Sequence, residues 1–476
     1  MSGLPSSPER DISVTVRAQD GSWRGRFRNI IEAIRHHPLA SFWLAALLIS
    51  LPLVLNPGYF SHDELQWLAF ADREHWSEVP WQGWFDFHPF QFRPLTFNTW
   101  LLLSRAFGYQ PPLMHAVVVG LGLLNAWLFR ACMAGSGIRT GIASGAALLF
   151  VFSPTVMQVH GWVGTLGDLY CLMAALTGVR VLQRNAGRSV EITAIAALTV
   201  MALWSKESAL VFPALLLAAW PQRRWSVWLP VAASVAIVAI YLALRWQVIL
   251  YTPRSDGHYA WSLTNIPSRL LDYAAFPFVP SLSETHVIRL HDSAWRWVLG
   301  LGLCACLLTL VLRADWRALL ALVIGWVACL GPTLLLSQST SVYAYLATAW
   351  AFAVCAWAWQ RSSVWSCRLM LGIAAVVSLH GSLVGQRIVE IGVLQNGVYA
   401  SIEPLLPTAT NAAPLRLAAV QRGDEAALQR MFHDVPSWRR IPLGERVMIV
   451  ANDDSPTVLV EADGSLRTPE AEASKR

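Results

Sequence analysis

Charged residues are scarce in this 476-residue chain. Asp, Glu, Lys and Arg make up 14% of it and 55% is hydrophobic, whereas a soluble domain carries about a quarter charged residues. Lysine is almost absent: Lys206 and the tail residue Lys475 stand alone. The net charge of +6 therefore comes from arginine, and the arginines gather in short loops between apolar runs, which excludes nucleic acid as the natural partner. Sustained apolar/polar alternation is missing, which excludes a membrane barrel. No repeat of 20–50 residues is present, so no solenoid extension is expected. No Gly-x-x-x-x-Gly-Lys loop occurs either. The seven cysteines fall in apolar runs or arginine-side loops, so no disulfide framework is expected. Cys304 and Cys306 are too close for a zinc pair.

What the chain has instead is a succession of apolar runs near the roughly 17–25 residues that cross a bilayer. In lipid such runs must be helices, because each segment has to satisfy its own backbone groups. Many of the 24 tryptophans sit at their ends, among them Trp43, Trp84, Trp220 and Trp295, as interfacial belts require. Residues 1–36 form a polar, arginine-bearing tail, too long for the lead of a cleaved signal, so the first span (39–55) reads as an uncleaved anchor. Further spans are expected near 113–131, 141–158, 166–182, 191–205, 207–220, 226–246, 295–312, 317–336, 342–359 and 368–386. The fold class is thus an all-α polytopic membrane protein of about eleven helices, occupying 37–386. Glycines at 137, 141 and 145 are read as a close-packing face.

Threading the chain with its N-terminus in the cytoplasm puts Arg130/Arg139, Arg180/Arg184/Arg188, Arg223/Arg224, Arg313/Arg317 and Arg361/Arg368 on the inside. The short outer loops near 159–165 and 337–341 then hold no Arg or Lys, in keeping with the positive-inside rule. The agreement requires that Pro94–Phe107, short and carrying Arg105, be an interfacial helix rather than a span. Two long loops (57–112 and 247–292) and the tail 387–476 lie outside. That tail reads as a small α+β appendage, with strand signals at Val447–Val450 and Thr457–Glu461 and a turn at Asp463-Gly464. The expected location is the cell membrane, with the C-terminus extracytoplasmic.

The candidate chemistry lies on the outer side. Immediately after the first span comes Ser61-His62-Asp63-Glu64, in a loop rich in aromatics (Trp67, Trp76, Trp81, Trp84, Phe85, Phe87) that is expected to dock on the membrane surface. A partly dry carboxylate there gains a pKa suited to proton abstraction. Asp63 and Glu64 point in different directions, so one can act as base while the other positions it. Arg93 precedes Pro94 at a predicted helix start, a natural anion site. Lys206 stands between two apolar runs beside Glu207. A charge at membrane depth costs roughly 2.5–3.5 kcal/mol on insertion scales, so it either pairs with Glu207 or faces a phosphate. Asp168 caps a helix start or serves the site. Tyr343 and Tyr345 begin a span at the same outer level, where interfacial anchoring is sufficient reason for them. His62, Asp63, Glu64, His75 and His88 share one loop, which leaves a divalent metal as an open alternative.

Taken in order, Asp63-Glu64, Arg93-Pro94-Leu95, the turn ending in Asp168, Ser205-Lys206-Glu207 and Tyr343-Ala344-Tyr345 resemble the GT-C membrane glycosyltransferases, in particular the protein O-mannosyltransferase and related lipid-linked-sugar branch. The resemblance covers roughly residues 40–386. It implies a polyprenyl-phosphate sugar as donor, a hydroxyl-bearing acceptor on protein or glycolipid, and the first-loop aspartate, here Asp63, as catalytic with Glu64. Arg93, Lys206, Glu207, Asp168, Tyr343, Tyr345 and His62 would then contact substrate. The chain departs from the family in lacking its repeat or barrel-like appendages and in carrying His62 before the acidic pair, which leaves the acceptor open. A transporter or flippase of a lipid-linked sugar, which would show helices broken at Pro154, Pro213 or Pro332, and a non-catalytic scaffold are the rival readings.

Overall fold

The computed structural model describes residues 37–75, 77, 83–89, 91–218, 227–251, 260–279, 287–288, 294–406, 413–421, 424–451 and 456–468. In chain order, α1 (Pro38–Val54), α2 (His62–Ala71) and α3 (Pro94–Phe107) precede α4 (Pro111–Gly135), α5 (Thr140–Val151) and α6 (Pro154–Gly161). They are followed by α7 (Leu166–Arg184), α8 (Arg188–Leu203), α9 (Phe212–Ala218), α10 (Trp228–Tyr251) and α11 (Ile266–Ala275). The last membrane-type helices are α12 (Ala294–Ala314), α13 (Trp316–Leu330), α14 (Tyr345–Trp359) and α15 (Val364–Ile402). Two compact units divide the chain within α1, one ending at Ala45 and the other starting at Ala46.

Among the described residues seven helices, some together with adjoining 3-10 turns, are long and apolar enough to cross a membrane: α4, α7, α10, α12, α13, α14 and α15. The bent pair α5–α6 makes an eighth if it is one span. Large apolar side chains such as Val298, Ile324, Trp365 and Leu371 stand exposed on these helices, which is tolerable only in contact with lipid. The chain is a multi-pass membrane protein. The eleven spans expected from sequence exceed this number. Helix α1, apolar and 17 residues long, stands at the lower bound of the roughly 17–25 residues that cross a bilayer. Within the expected span 207–220, Glu207–Val211 is a five-residue 3-10 turn that runs into α9 (Phe212–Ala218), and 219–220 lie outside the described residues.

Two further expectations change. The run 141–158 is not one straight helix: α5 and α6 meet at a 62° bend, because Pro154 at the first turn of α6 has no N–H to continue the ladder. Gly141 and Gly145 do not pack closely; a Cβ at either would meet nothing within 4 Å, and both line a cavity of about 390 Å³ with Leu307, Phe352 and Met370. Nearby, Phe278, Leu310, Met370, Ile373 and Val377 form one core cluster, and Val311, Ala318, Leu322, Val354 and Ala358 form another.

Helix α15 passes residue 386 unbroken and continues to Ile402, 39 residues in all. At about 1.5 Å per residue it is nearly twice the hydrocarbon thickness, so it projects beyond the membrane and ends in the appendage. There β1 (Leu415–Ala419), α16 (Glu425–Phe432), the hairpin β2 (Ser437–Trp438) and β3 (Ile441–Pro442), β4 (Val447–Ile449), β5 (Val458–Val460) and β6 (Leu466–Arg467) follow. The main sheet has the order β4-β1-β5-β6, with β1 parallel to both neighbours and β5 antiparallel to β6. The parallel pair requires a long crossover, which α16 and the small hairpin supply. The expected strands and the Asp463-Gly464 turn are present; Gly464 takes φ +81° where its backbone meets α15 beside Gly397.

Candidate functional site

The chain leaves α1 and is fastened to the upper part of α15 before it reaches the acidic pair. Asn56 Nδ2 donates to the Ile388 carbonyl (3.3 Å) and the Tyr59 N–H donates to Gln395 Oε1 (2.9 Å). Gly58 approaches Gly392 so closely that a Cβ would collide with its carbonyl oxygen. Tyr59 Oη donates to Gly108 O (2.6 Å), joining this strap to the end of α3.

Helix α2 starts on a capping box. Ser61 is the N-cap in extended conformation, and Glu64 at N3 returns its carboxylate to the Ser61 N–H (3.2 Å). The other Glu64 oxygen accepts from Val163 N–H (3.2 Å), the first residue of the turn into α7. Glu64 is therefore buried, at 2% exposure. Burial first, then the Asp63 charge, push its carboxyl up to about 8, against the pull of these N–H donors and Arg430. The dry carboxylate is thus Glu64. Asp63, at N2, keeps a third of its side chain exposed and takes His62 Nε2 at 3.3 Å. Burial also holds the His62 imidazole below its ordinary value, with Asp63 opposing.

The appendage closes over this turn. Arg430 of α16 donates from Nε to Ser61 Oγ (3.3 Å) and lies over the rings of Phe60 and Trp162. The His433 ring meets His62 at 5.1 Å, and its carbonyl accepts from Gln66 Nε2 (3.1 Å). Arg430 had no signal in the sequence that tied it to the Ser61–Glu64 turn; only the fold brings them together. The loop aromatics do not all face the membrane as expected. Trp67 stacks on Phe97 (4.9 Å) and leans on Trp100 (5.2 Å), so α2 and α3 bind each other. Trp76 and Trp81 lie outside the described residues.

A second charged group lies where α3, α7 and the turn after α8 converge. Leu95 N–H donates to Trp204 O (3.1 Å) and Thr96 Oγ1 to Ser205 O (2.8 Å). A Cβ at Gly167 would also press on the Ser205 carbonyl. Lys206 does not pair with its neighbour Glu207. Its extended backbone sends the two side chains apart, and Lys206 Nζ reaches Asp168 Oδ2 at 2.5 Å with both side chains almost fully buried. Asp168 is thus an ion-pair partner rather than a helix cap. Glu207 takes Arg93 instead, at 2.9 Å to Nε and 2.7 Å to Nη2. Arg93 is the N-cap of α3 with Pro94 at N1, as the sequence predicts, but its guanidinium is held by a carboxylate and one first-turn N–H is already taken by Trp204.

Tyr343 lies under Lys206, 4.9 Å from ammonium to ring centre. Tyr345 belongs elsewhere: it is fully buried, with its hydroxyl 3.5 Å from His160 and Asn125. Arg245, buried on α10 and donating to Pro89 O (3.0 Å), is a third cation within electrostatic reach of Glu207. The cluster thus holds three cations (Arg93, Lys206, Arg245) against two carboxylates (Asp168, Glu207), one positive charge in excess. Arg245 sits mid-run in an apolar segment, the one cue that marks it in sequence. Among the described residues no three His, Cys, Asp or Glu side chains are grouped to hold a metal ion, so the loop carboxylates and histidines are not assembled as a centre.

No protein-family model and no curated protein matches the chain. Among solved structures, an oligosaccharyltransferase of Archaeoglobus fulgidus, tethered by a disulfide to an acceptor peptide containing the NVT sequon, is similar with a TM-score of 0.45 and 11% identity. The similarity covers 88% of this chain and 64% of that one.

Proposed function

We propose that the protein is a membrane glycosyltransferase of the GT-C kind, moving a sugar from a polyprenyl-phosphate donor to a hydroxyl acceptor at the outer face. The observation that carries this reading is the pairing of an accessible carboxylate, Asp63, with a separate cluster bearing an excess positive charge. The turn Val163–Thr165 connects the two, bonded to Glu64 at its start and followed by Asp168. In this mechanism Asp63 takes the proton of the acceptor hydroxyl as its oxygen attacks the anomeric carbon. The bond from that carbon to the phosphate breaks, and the leaving phosphate gains charge facing Lys206, Arg93 and Arg245. Fixed cations of this kind stabilise developing negative charge by a few kcal/mol each, on the scale of about 2.7–4 kcal/mol for one oxyanion donor. Attack opposite the leaving group inverts the anomeric centre. Glu64 positions Asp63 and, near neutral pH, carries its own proton.

The test is transfer itself. Purified protein incubated with a panel of radiolabelled polyprenyl-phosphate sugars should release label to an acceptor hydroxyl or to water with at least one donor. No turnover of any lipid-linked sugar would sink the reading. For orientation, reporter fusions at Gly137 and Arg361 should read cytoplasmic and one at Ser339 external; the reverse would put the acidic pair on the wrong side. The broken helix at Pro154 and the 3-10 break at Gly331-Pro332 favour a second reading, movement of the lipid-linked sugar across the bilayer. That alternative predicts donor redistribution between leaflets of a vesicle without loss of its sugar.

A further inference from the structure

At the end of the bundle away from Asp63, a second cavity opens between α4, α7, α13 and α14, with a volume of about 500 Å³, within the range of roughly 300–1,000 Å³ of ligand sites. Its walls are apolar along their depth: Phe129, Leu176, Ala318, Leu346 and Val354. Its polar groups are confined to residues at helix ends, Ser136, Asp315, Arg317 and Arg361. The Arg361 guanidinium lies over the Trp357 ring at 3.7 Å and that of Arg317 over Trp316 at 5.6 Å. Asp315 spends an oxygen as N-cap of α13, accepting from Arg317 N–H at 2.8 Å. Among the described residues neither guanidinium is ion-paired, so the rim carries two cations against one carboxylate already engaged.

We propose that this cavity binds an anionic phospholipid, its acyl chain between α7 and α14 and its phosphate at Arg317 and Arg361. The two parts of the site demand the two parts of one ligand. A free phosphate has no use for walls this deep and apolar, and an uncharged chain has no use for two guanidiniums fixed on indoles. Guanidinium forks match phosphate oxygens in geometry and are weakly hydrated, so little is lost in desolvating them at an interface. The site is separate from the Asp63 region, and the proposal stands whether or not the protein transfers sugar.

The experiment is thermal unfolding of the purified full-length protein in detergent, with phosphatidylglycerol, phosphatidylcholine or inorganic phosphate added at matched concentration. A ligand that binds only the folded form raises Tm with its concentration. Phosphatidylglycerol should raise Tm, while phosphatidylcholine and inorganic phosphate should not. In Arg317→Gln/Arg361→Gln the apparent affinity for phosphatidylglycerol should fall at least about tenfold, the equivalent of one charge-assisted hydrogen bond. Ala353→Phe, which fills the cavity and leaves both arginines, should abolish the response. Should either variant not fold, native mass spectrometry of the wild type from an equal mixture of the two lipids decides it, with retained phosphatidylglycerol expected. Equal retention of both lipids, an unchanged response in the double variant, or a response to inorganic phosphate alone would overturn the proposal.

Discussion

Two charged groups stand at the same end of this protein and are built in opposite ways. At the Ser61–Glu64 turn, Glu64 is held by two backbone N–H groups, Asp63 stands beside the His62 ring, and the cation that approaches, Arg430, comes from a separate appendage. At the junction of α3, α7 and α8, carboxylates are held by side-chain cations: Asp168 by Lys206, Glu207 by Arg93. Backbone donors fix the geometry of Glu64 without bringing a counter-charge, and Asp63 beside it keeps a third of its side chain exposed. Ion pairing does neutralise each carboxylate, so what the second arrangement offers an anion is its net excess of one positive charge. The difference teaches that acidic residues at a membrane surface are read by what holds them, not by their number.

Breaking the second arrangement has the largest expected effect on stability. Lys206→Met leaves Asp168 buried without its cation and should cost about 3–5 kcal/mol, seen as a large drop in Tm in detergent. Adding Asp168→Leu should restore most of the loss, whereas adding Glu207→Leu should not, because Glu207 belongs to Arg93. Recovery with Glu207→Leu would refute the pairing. If the rescued Lys206→Met/Asp168→Leu protein still binds polyprenyl-phosphate sugar weakly, Lys206 acts on the donor as well. The Arg93–Glu207 pair is more exposed, at 19% and 28% of the side chains. Arg93→Gln should therefore destabilise less than Lys206→Met, and a larger loss in the same unfolding assay would reverse the ranking of the two pairs.

How much of this was readable beforehand depended on range along the chain. Pro94 announced a helix start because proline's constraint is local, and that helix runs Pro94–Phe107. The strands at 447–449 and 458–460 and the Asp463-Gly464 turn were readable for the same reason. The divergence of Asp63 and Glu64 was also legible, but not which of them would be dry. That depends on Val163, 99 residues away. For Lys206 the sequence offers either its neighbour Glu207 or a phosphate, because adjacency is all that it displays; its partner Asp168 lies 38 residues back across a helix pair. Arg245 and Arg430 reach the candidate site only through the packing of α10 and α16. Hydropathy also cannot see that Glu207–Val211 winds as a 3-10 turn.

A pH profile is the sharpest test of the first arrangement. Glu64 has its folded pKa raised from 4.5 to about 8, so the folded state binds the extra proton between those values. Stability must then fall as pH rises through that window, with no penalty below about 4.5 and the full penalty above about 8. Glu64→Gln keeps a capping-box side chain and removes the titration, so its stability should vary less with pH from about 4.5 to 8 than the wild type's. Parallel pH profiles for the two proteins would show that Glu64 is not the buried, proton-retaining member of the pair.

The decisive measurement is turnover of Asp63→Asn with a polyprenyl-phosphate sugar that the wild type uses, taken together with donor affinity and Tm on the same samples. Asparagine nearly preserves shape and removes the base, so transfer should fall by about 10²–10⁴-fold while donor binding and Tm hold near wild-type values. Wild-type turnover in Asp63→Asn would contradict the assignment of Asp63 as the base and, with it, the proposed mechanism of transfer.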